Sequence, residues 1–235
     1  MKLGDMDMYK NSEIFLTTFN RIEKEIKSSL MNKKDVGFSK AVKILRNSNP
    51  IVKKYSDDLL EFAELRNAIV HNKIDMNHAI AEPHDAIVEK IEKIEMEITQ
   101  PRSVASLFSR KVISFQGNEP LTNALAIIEQ KGFTKFPIYE GEKFKGIITE
   151  KGITVWLSNN MESSIRDALI KDVLVYEEDD NYRHIAGETS VYKAEQIFKE
   201  QIGKGNRLQA LLITADDNQT DKLIGIITNW DIMNI

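Results

Sequence analysis

Apolar positions along the first hundred residues recur at steps of three and four, the spacing that gathers side chains onto one face of a helix. Phe15, Phe19, Ile22, Ile26 and Leu30 make the first such stripe. A second, shorter helix fits Ser39 to Asn47, with Ser39 as its cap. A third begins at Asn49-Pro50, where the missing proline N–H falls at a position that needs no helical partner, and its apolar residues continue to Val70. Ile87, Ile91, Ile94 and Ile98 line a fourth, with glutamates and lysines between them as the solvated face. Four amphipathic helices with short links predict a four-helix bundle over residues 1–100.

Pro101 closes that pattern. Short β-branched runs then alternate with single helices: a strand at Val112–Phe115, a helix at Leu121–Gln130, strands at Phe136–Tyr139 and Lys145–Thr149, and a helix from about Gly152. The same order returns as a helix at Val191–Gln201 and strands at Ala210–Thr214 and Leu223–Thr228, with Asp216–Gln219 as a polar turn between those strands. Gly146-Ile147-Ile148-Thr149 is repeated letter for letter as Gly225-Ile226-Ile227-Thr228. Residues 101–235 therefore read as two homologous β-α-β-β-α units, about 108–160 and 170–235, and the whole chain as α+β. The copies differ just beyond the threonine, where the second continues Asn229-Trp230-Asp231 and the first Glu150-Lys151-Gly152.

Composition narrows the function. With 42% hydrophobic and 29% charged residues among 235, the chain is expected to be soluble and globular. No apolar run approaches the roughly 20 residues of a membrane helix, and Met1 to Met6 lack a signal-peptide core. The absence of cysteine removes disulfides, thiol nucleophiles and thiolate metal sites, and suits a cytoplasmic protein. A net charge of −4 argues against broad binding to DNA while leaving room for local contact with RNA.

The unit that closes on Gly-Ile-Ile-Thr-x-x-Asp-Ile, with Thr122-x-Ala124-Leu125 and Tyr192-x-Ala194-Glu195 at its helix starts, resembles a CBS domain, and the tandem resembles a Bateman module over about Ser109 to Ile235. The resemblance implies an adenosine-containing ligand, AMP or ATP among others, in a cleft between the units. The residue chemistry agrees. A threonine ending a strand places a hydroxyl at the mouth of the sheet, and an aspartate three residues on can accept from both ribose hydroxyls. The helix start beside it favours phosphate. Thr228 and Asp231, after Ile226, fit that pattern in full. By resemblance, Ile113, Phe133 and Thr134 would face the adenine, and Lys111 or Arg207 the phosphate. In the first copy Gly152 stands in place of the aspartate, so that cleft is expected to be degenerate, its ribose without an acceptor. The alternative is that both Gly-Ile-Ile-Thr strands serve only the core.

In the helical half, Arg66, Asn67 and His71 lie near one helix end, with Asn67 and His71 on a shared face. Arg66-Asn67-x-x-x-His71 in a four-helix bundle resembles the HEPN family over about Phe15 to Thr99. That resemblance implies a metal-independent ribonuclease acting on single-stranded RNA as a homodimer. Histidine can move protons near neutral pH, arginine can hold the phosphate as its charge builds, and asparagine can orient either. The structural alternative pairs Arg66 with Glu61, Glu64 or Asp58 and leaves His71 to cap its own helix. His71-Asn72-Lys73 lacks the His-x-Tyr of the variant that partners a nucleotidyltransferase.

Other signals are weaker. His78 and His84, near Asp75 and Asp85, match no compact ligand set, and no metal is expected. Gly203-Lys204-Gly205 reads as a turn after a helix. Trp156 and Trp230, near the helix starts after the repeated strands, are expected to pack. Arg183-His184 is either a phosphate contact of the degenerate cleft or plain surface. The combined expectation is an adenine-nucleotide sensor whose CBS pair controls a HEPN-like, RNA-cleaving dimer. The alternative is a non-enzymatic sensor whose helical domain serves dimerisation or docking.

Overall fold

The computed structural model describes residues 10–30, 36–71, 82–216 and 222–233, and divides into two units, Met1–Pro101 and Arg102–Ile235. In the first unit the described helices are α1 (Lys10–Ser28), α2 (Phe38–Leu45), α3 (Pro50–Lys54), α4 (Ser56–His71) and α5 (Asp85–Thr99). The α1 stripe is the spine of the core: Phe15, Phe19, Ile22 and Ile26 are buried with Leu59 and Phe62 of α4 and Ile91 and Ile94 of α5. Asn49 caps α3 as its sequence predicts, its side-chain oxygen accepting from the N–H groups of Ile51 and Val52 at 3.0 and 3.2 Å.

Two expectations for this unit need correction. The helix from Pro50 to Val70 is broken at Tyr55, whose backbone leaves the helical region (φ −105°, ψ 16°). The Tyr55 hydroxyl there donates to Glu97 of α5 at 2.6 Å, which anchors the break. Ser39 does not cap α2, because the helix starts one residue earlier with Gly37 in the extended cap position.

The second unit opens with α6 (Val104–Phe108) and then carries β1 (Phe115–Gln116), α7 (Leu121–Lys131), β2 (Lys135–Glu140), β3 (Lys143–Thr149) and α8 (Glu150–Asn159). The order recurs as α9 (Ile170–Leu174), β4 (Tyr182–Ala186), α10 (Val191–Gly203), β5 (Ala210–Thr214), β6 (Gly225–Ile227) and α11 (Asn229–Met233). Each copy forms a three-stranded sheet with the same topology: the first strand is parallel to the second, and the second antiparallel to the third. Ile147 of the first copy and Ala210, Leu212 and Leu223 of the second are buried in one cluster, so the two sheets share a core. No described helix is long and apolar enough to cross a membrane.

The first strand of each copy departs from expectation. Val112 to Ser114 stay outside β1, because Val112 packs into the shared core and Ile113 into that of the first copy: their apolar character serves packing and not strand pairing. β4 has the opposite history. Its sequence is polar, yet it pairs in parallel with β5, and Tyr182 and His184 pack edge-on against Phe144 of the first copy at 5.1 Å. His184 is therefore part of the contact between copies, while Arg183 is exposed. Of the polar turn expected at Asp216–Gln219, residues 217–219 lie outside the described residues.

Ile22 has no solvent exposure and faces both α4 and α5 side chains in the helical core. Ile22→Ala should lower the stability of that unit by roughly 2–5 kcal/mol, read as a shift of the denaturant midpoint.

Candidate functional site

Where a strand runs directly into a helix, the first N–H groups of the helix have no intrahelical acceptor. After β6 this need is met locally. Asp231 folds back so that its Oδ2 accepts from the Thr228 N–H at 2.8 Å and the Thr228 hydroxyl at 2.7 Å. Its other oxygen faces the Arg110 guanidinium at 3.4 Å, and Arg110 also donates to the Ile226 carbonyl at 3.1 Å. Arg110 arrives here because the chain leaving α6 runs alongside β6, with Ser109 bridged to Gly225 and the Arg110 N–H donating to Ile224 at 3.0 Å. The approach requires glycine at 225: a Cβ there would lie 2.5 Å from the Phe108 carbonyl oxygen.

These side chains open onto a cavity of about 370 Å³, within the range of small-molecule sites. It brings Ile226, Thr228 and Asp231 of the second copy together with Lys111, Ile113, Phe133 and Thr134 of the first. Three cations line it, Arg110, Lys111 and Lys135, and Lys135 is also held by Thr134 at 3.2 Å. Ile113, Phe133 and Trp230 add an apolar and aromatic part to the lining. Trp230 is 74% exposed, which corrects its expected packing role, whereas Trp156 is buried as expected. Arg207 is not among the lining residues; it is exposed in the loop between α10 and β5. Arg110 takes the place expected of it. The signal for Arg110 was present in the Arg110-Lys111 pair leading into the first copy, but its partner lies 121 residues away in sequence.

The corresponding strand end in the first copy solves the same problem from a distance. Thr149 caps α8, its hydroxyl oxygen accepting from the Gly152 N–H at 3.2 Å. Its own donors go to Glu177 in the linker after α9: the Thr149 N–H reaches Oε1 at 2.6 Å and the hydroxyl reaches Oε1 at 3.0 Å. Asn181 donates to Oε2 at 2.8 Å. Gly152 carries no acceptor, and the carboxylate at this end comes from Glu177, which the sequence did not point to.

In the helical unit, Arg66 and Asn67 line a second cavity, of about 280 Å³, together with Lys40, Ser39 and Glu23. Arg66 donates to the Asn67 side-chain oxygen at 3.2 Å. Among the described residues no carboxylate pairs with Arg66, and Asp58 is instead bonded to Lys90. His71 ends α4, but its side chain lies outside what is described, as do Asp75 and His78. His84 stands at the N-cap of α5 without a side-chain capping bond.

Burial holds the Glu177 carboxyl above its ordinary value of 4.5, and the bonds from Thr149 and Asn181 only partly offset that. An acid whose folded pKa is raised contributes stability below its unfolded pKa, and loses it as pH rises through the folded value. Glu177→Gln keeps an acceptor for Thr149 and cannot ionise. The variant should therefore gain stability relative to the parent as pH rises from 4.5 through the raised value, and the gap should vanish in acid. Thermal unfolding across that range is the measurement.

Comparison with known proteins places the second unit. No curated protein matches the chain. Solved structures of similar shape include a protein with CBS domains from Burkholderia ambifaria (19% identity, covering 54% of this chain and 82% of that one, TM-score 0.42). AcuB from Vibrio cholerae is a second (18% identity, 57% and 89%, TM-score 0.45). CBSX2, solved in complex with AMP, is a third (14% identity, 56% and 93%, TM-score 0.42). The CBS domain family itself matches residues 104–159 and 165–235, more than half of the sequence, and the two stretches correspond to the two repeated units. The chain belongs to the CBS domain family and carries its domains as a tandem pair.

Proposed function

We propose that the CBS pair is a regulatory sensor for an adenine nucleotide, bound in the cavity that Thr228 and Asp231 share with the first copy. One observation carries this reading: a strand-end carboxylate and hydroxyl line a ligand-sized cavity together with three cations and two exposed aromatic rings. Asp231 accepts from the ribose hydroxyls, Arg110 and Lys111 meet the phosphate, and Phe133, Trp230 and Ile113 flank the base. The ligand class is the one the sequence resemblance implies.

In the same proposal the nucleotide governs the helical unit, a HEPN-like homodimer that cleaves single-stranded RNA without metal. Support comes from Arg66, which shares a cavity with Lys40 and Asn67 and makes no ion pair among the described residues, so its charge is open to a phosphate. Control of this kind requires the nucleotide to bind two arrangements of the protein with different affinity. A second reading, a non-enzymatic sensor whose helices dimerise or dock a partner, is favoured by Glu23, a carboxylate in the same cavity that would repel a phosphate.

Calorimetric titration with AMP and ATP tests the site. Asp231→Ala should weaken binding roughly ten- to a hundredfold, the worth of a hydrogen bond to a charged group. Unchanged affinity would remove Asp231 from the site. Cleavage of a labelled single-stranded RNA in EDTA separates the two readings of the helical unit. Activity that is lost in His71→Ala and altered by nucleotide supports the ribonuclease. No cleavage together with clear nucleotide binding supports the sensor alone.

A further inference from the structure

The two Gly-Ile-Ile-Thr ends differ in the origin of their carboxylate, and the difference has a steric mark. Gly152 stands where the second copy has Asp231. A Cβ added to Gly152 would fall within the Glu177 side chain, 2.6 Å from its Cδ and 3.2 Å from its Cγ. That side chain has little freedom to retreat, because Thr149 holds Oε1 through two bonds and Asn181 holds Oε2. Asp231 differs: Oδ2 is engaged by Thr228, but among the described residues Oδ1 meets only Arg110, at 3.4 Å. Beside this, Lys151 occupies the place of the exposed Trp230 and is tied to Glu178 by an ion pair. Asp179 and Asp180 follow Glu178, so the linker that brings Glu177 to the first strand end is acidic, whereas the one that reaches the second carries Arg110 and Lys111.

We propose that Glu177 is a built-in occupant of the first strand end. Its carboxylate fills the space that a ribose-facing aspartate would need, Gly152 is the vacancy that admits it, and nucleotide is confined to the second cleft at one molecule per chain. The one-per-chain part rests on the nucleotide reading of the Thr228–Asp231 cavity, whereas the exchange between residues 152 and 177 does not.

A thermal double-mutant cycle tests the exchange without any ligand. Position 152 lies in the first turn of α8, where alanine is a better helix former than glycine. Gly152→Ala should lower the melting temperature of the parent chain, through collision with Glu177. The same substitution should leave it unchanged or raised in a Glu177→Ala background. Glu177→Ser is a second background with the same expectation should the first fold poorly. An effect of equal sign and size in all backgrounds would overturn the proposal.

Stoichiometry tests the consequence, with adenosine as the probe because its lack of charge avoids the acidic run. The parent should take one equivalent, and Gly152→Asp/Glu177→Ala two. One equivalent in both, or two in the parent, would overturn the confinement. A parent that takes neither adenosine nor AMP would defeat the nucleotide reading, and the thermal cycle would then decide the exchange alone.

Discussion

A threonine between a buried strand and the helix that follows it brings two donors, its N–H and its hydroxyl, to a place where water has limited access. Leaving a buried donor unsatisfied costs about 1–3 kcal/mol, so each such end must find an acceptor. Both copies find a carboxylate. Thr228 takes Asp231 from its own helix, and Thr149 takes Glu177 from a linker 28 residues on. The architecture of both clefts depends on how that requirement is met.

The route of the chain decides which side chain arrives. Each short helix that precedes a copy, α6 or α9, hands over to a segment that runs past the strand end of the other copy. After α6 that segment delivers Arg110 to β6, and after α9 it delivers Glu177 to β3. One end therefore receives a cation beside its local aspartate, and the other receives an anion in place of one. Duplicated strands with the same four residues become chemically opposite through their linkers, while the shared core of Ile147, Ala210, Leu212 and Leu223 stays common to both.

What could be read from the sequence follows from this. Local pattern located the repeated strands, the α1 stripe, the Asn49 cap and the Thr228–Asp231 pair, because each is a relation between near neighbours. Ile113, Phe133 and Thr134 were placed in the cavity by family resemblance, and they line it. Arg110 and Glu177 were missed because their roles depend on backbone courses set by strand pairing over long separations. β4 was missed for another reason: Ile185 is its one buried residue, and the partly buried Tyr182 and His184 pack on an aromatic partner, so no aliphatic alternation marks it. The break at Tyr55 was illegible because its anchor, Glu97, belongs to a different helix.

The two ends also differ in their ability to exchange partners, which bears on the proposal that only one takes a ligand. Charge-assisted N–H to carboxylate bonds are commonly about 2.7–2.9 Å, so the 3.4 Å contact between Arg110 and Asp231 is loose, and the Arg110 side chain is 47% exposed. Exposed pairs of this kind are worth little, so displacing one costs little. A nucleotide would bring a ribose hydroxyl to Asp231 and a phosphate to Arg110, leaving both groups with a new partner. At the first end no oxygen of Glu177 is loosely held: Thr149 and Asn181 take both. A ligand there would have to strand the Thr149 donors before it could gain anything, which is the physical basis for proposing an exchangeable cleft in one copy and a closed one in the other.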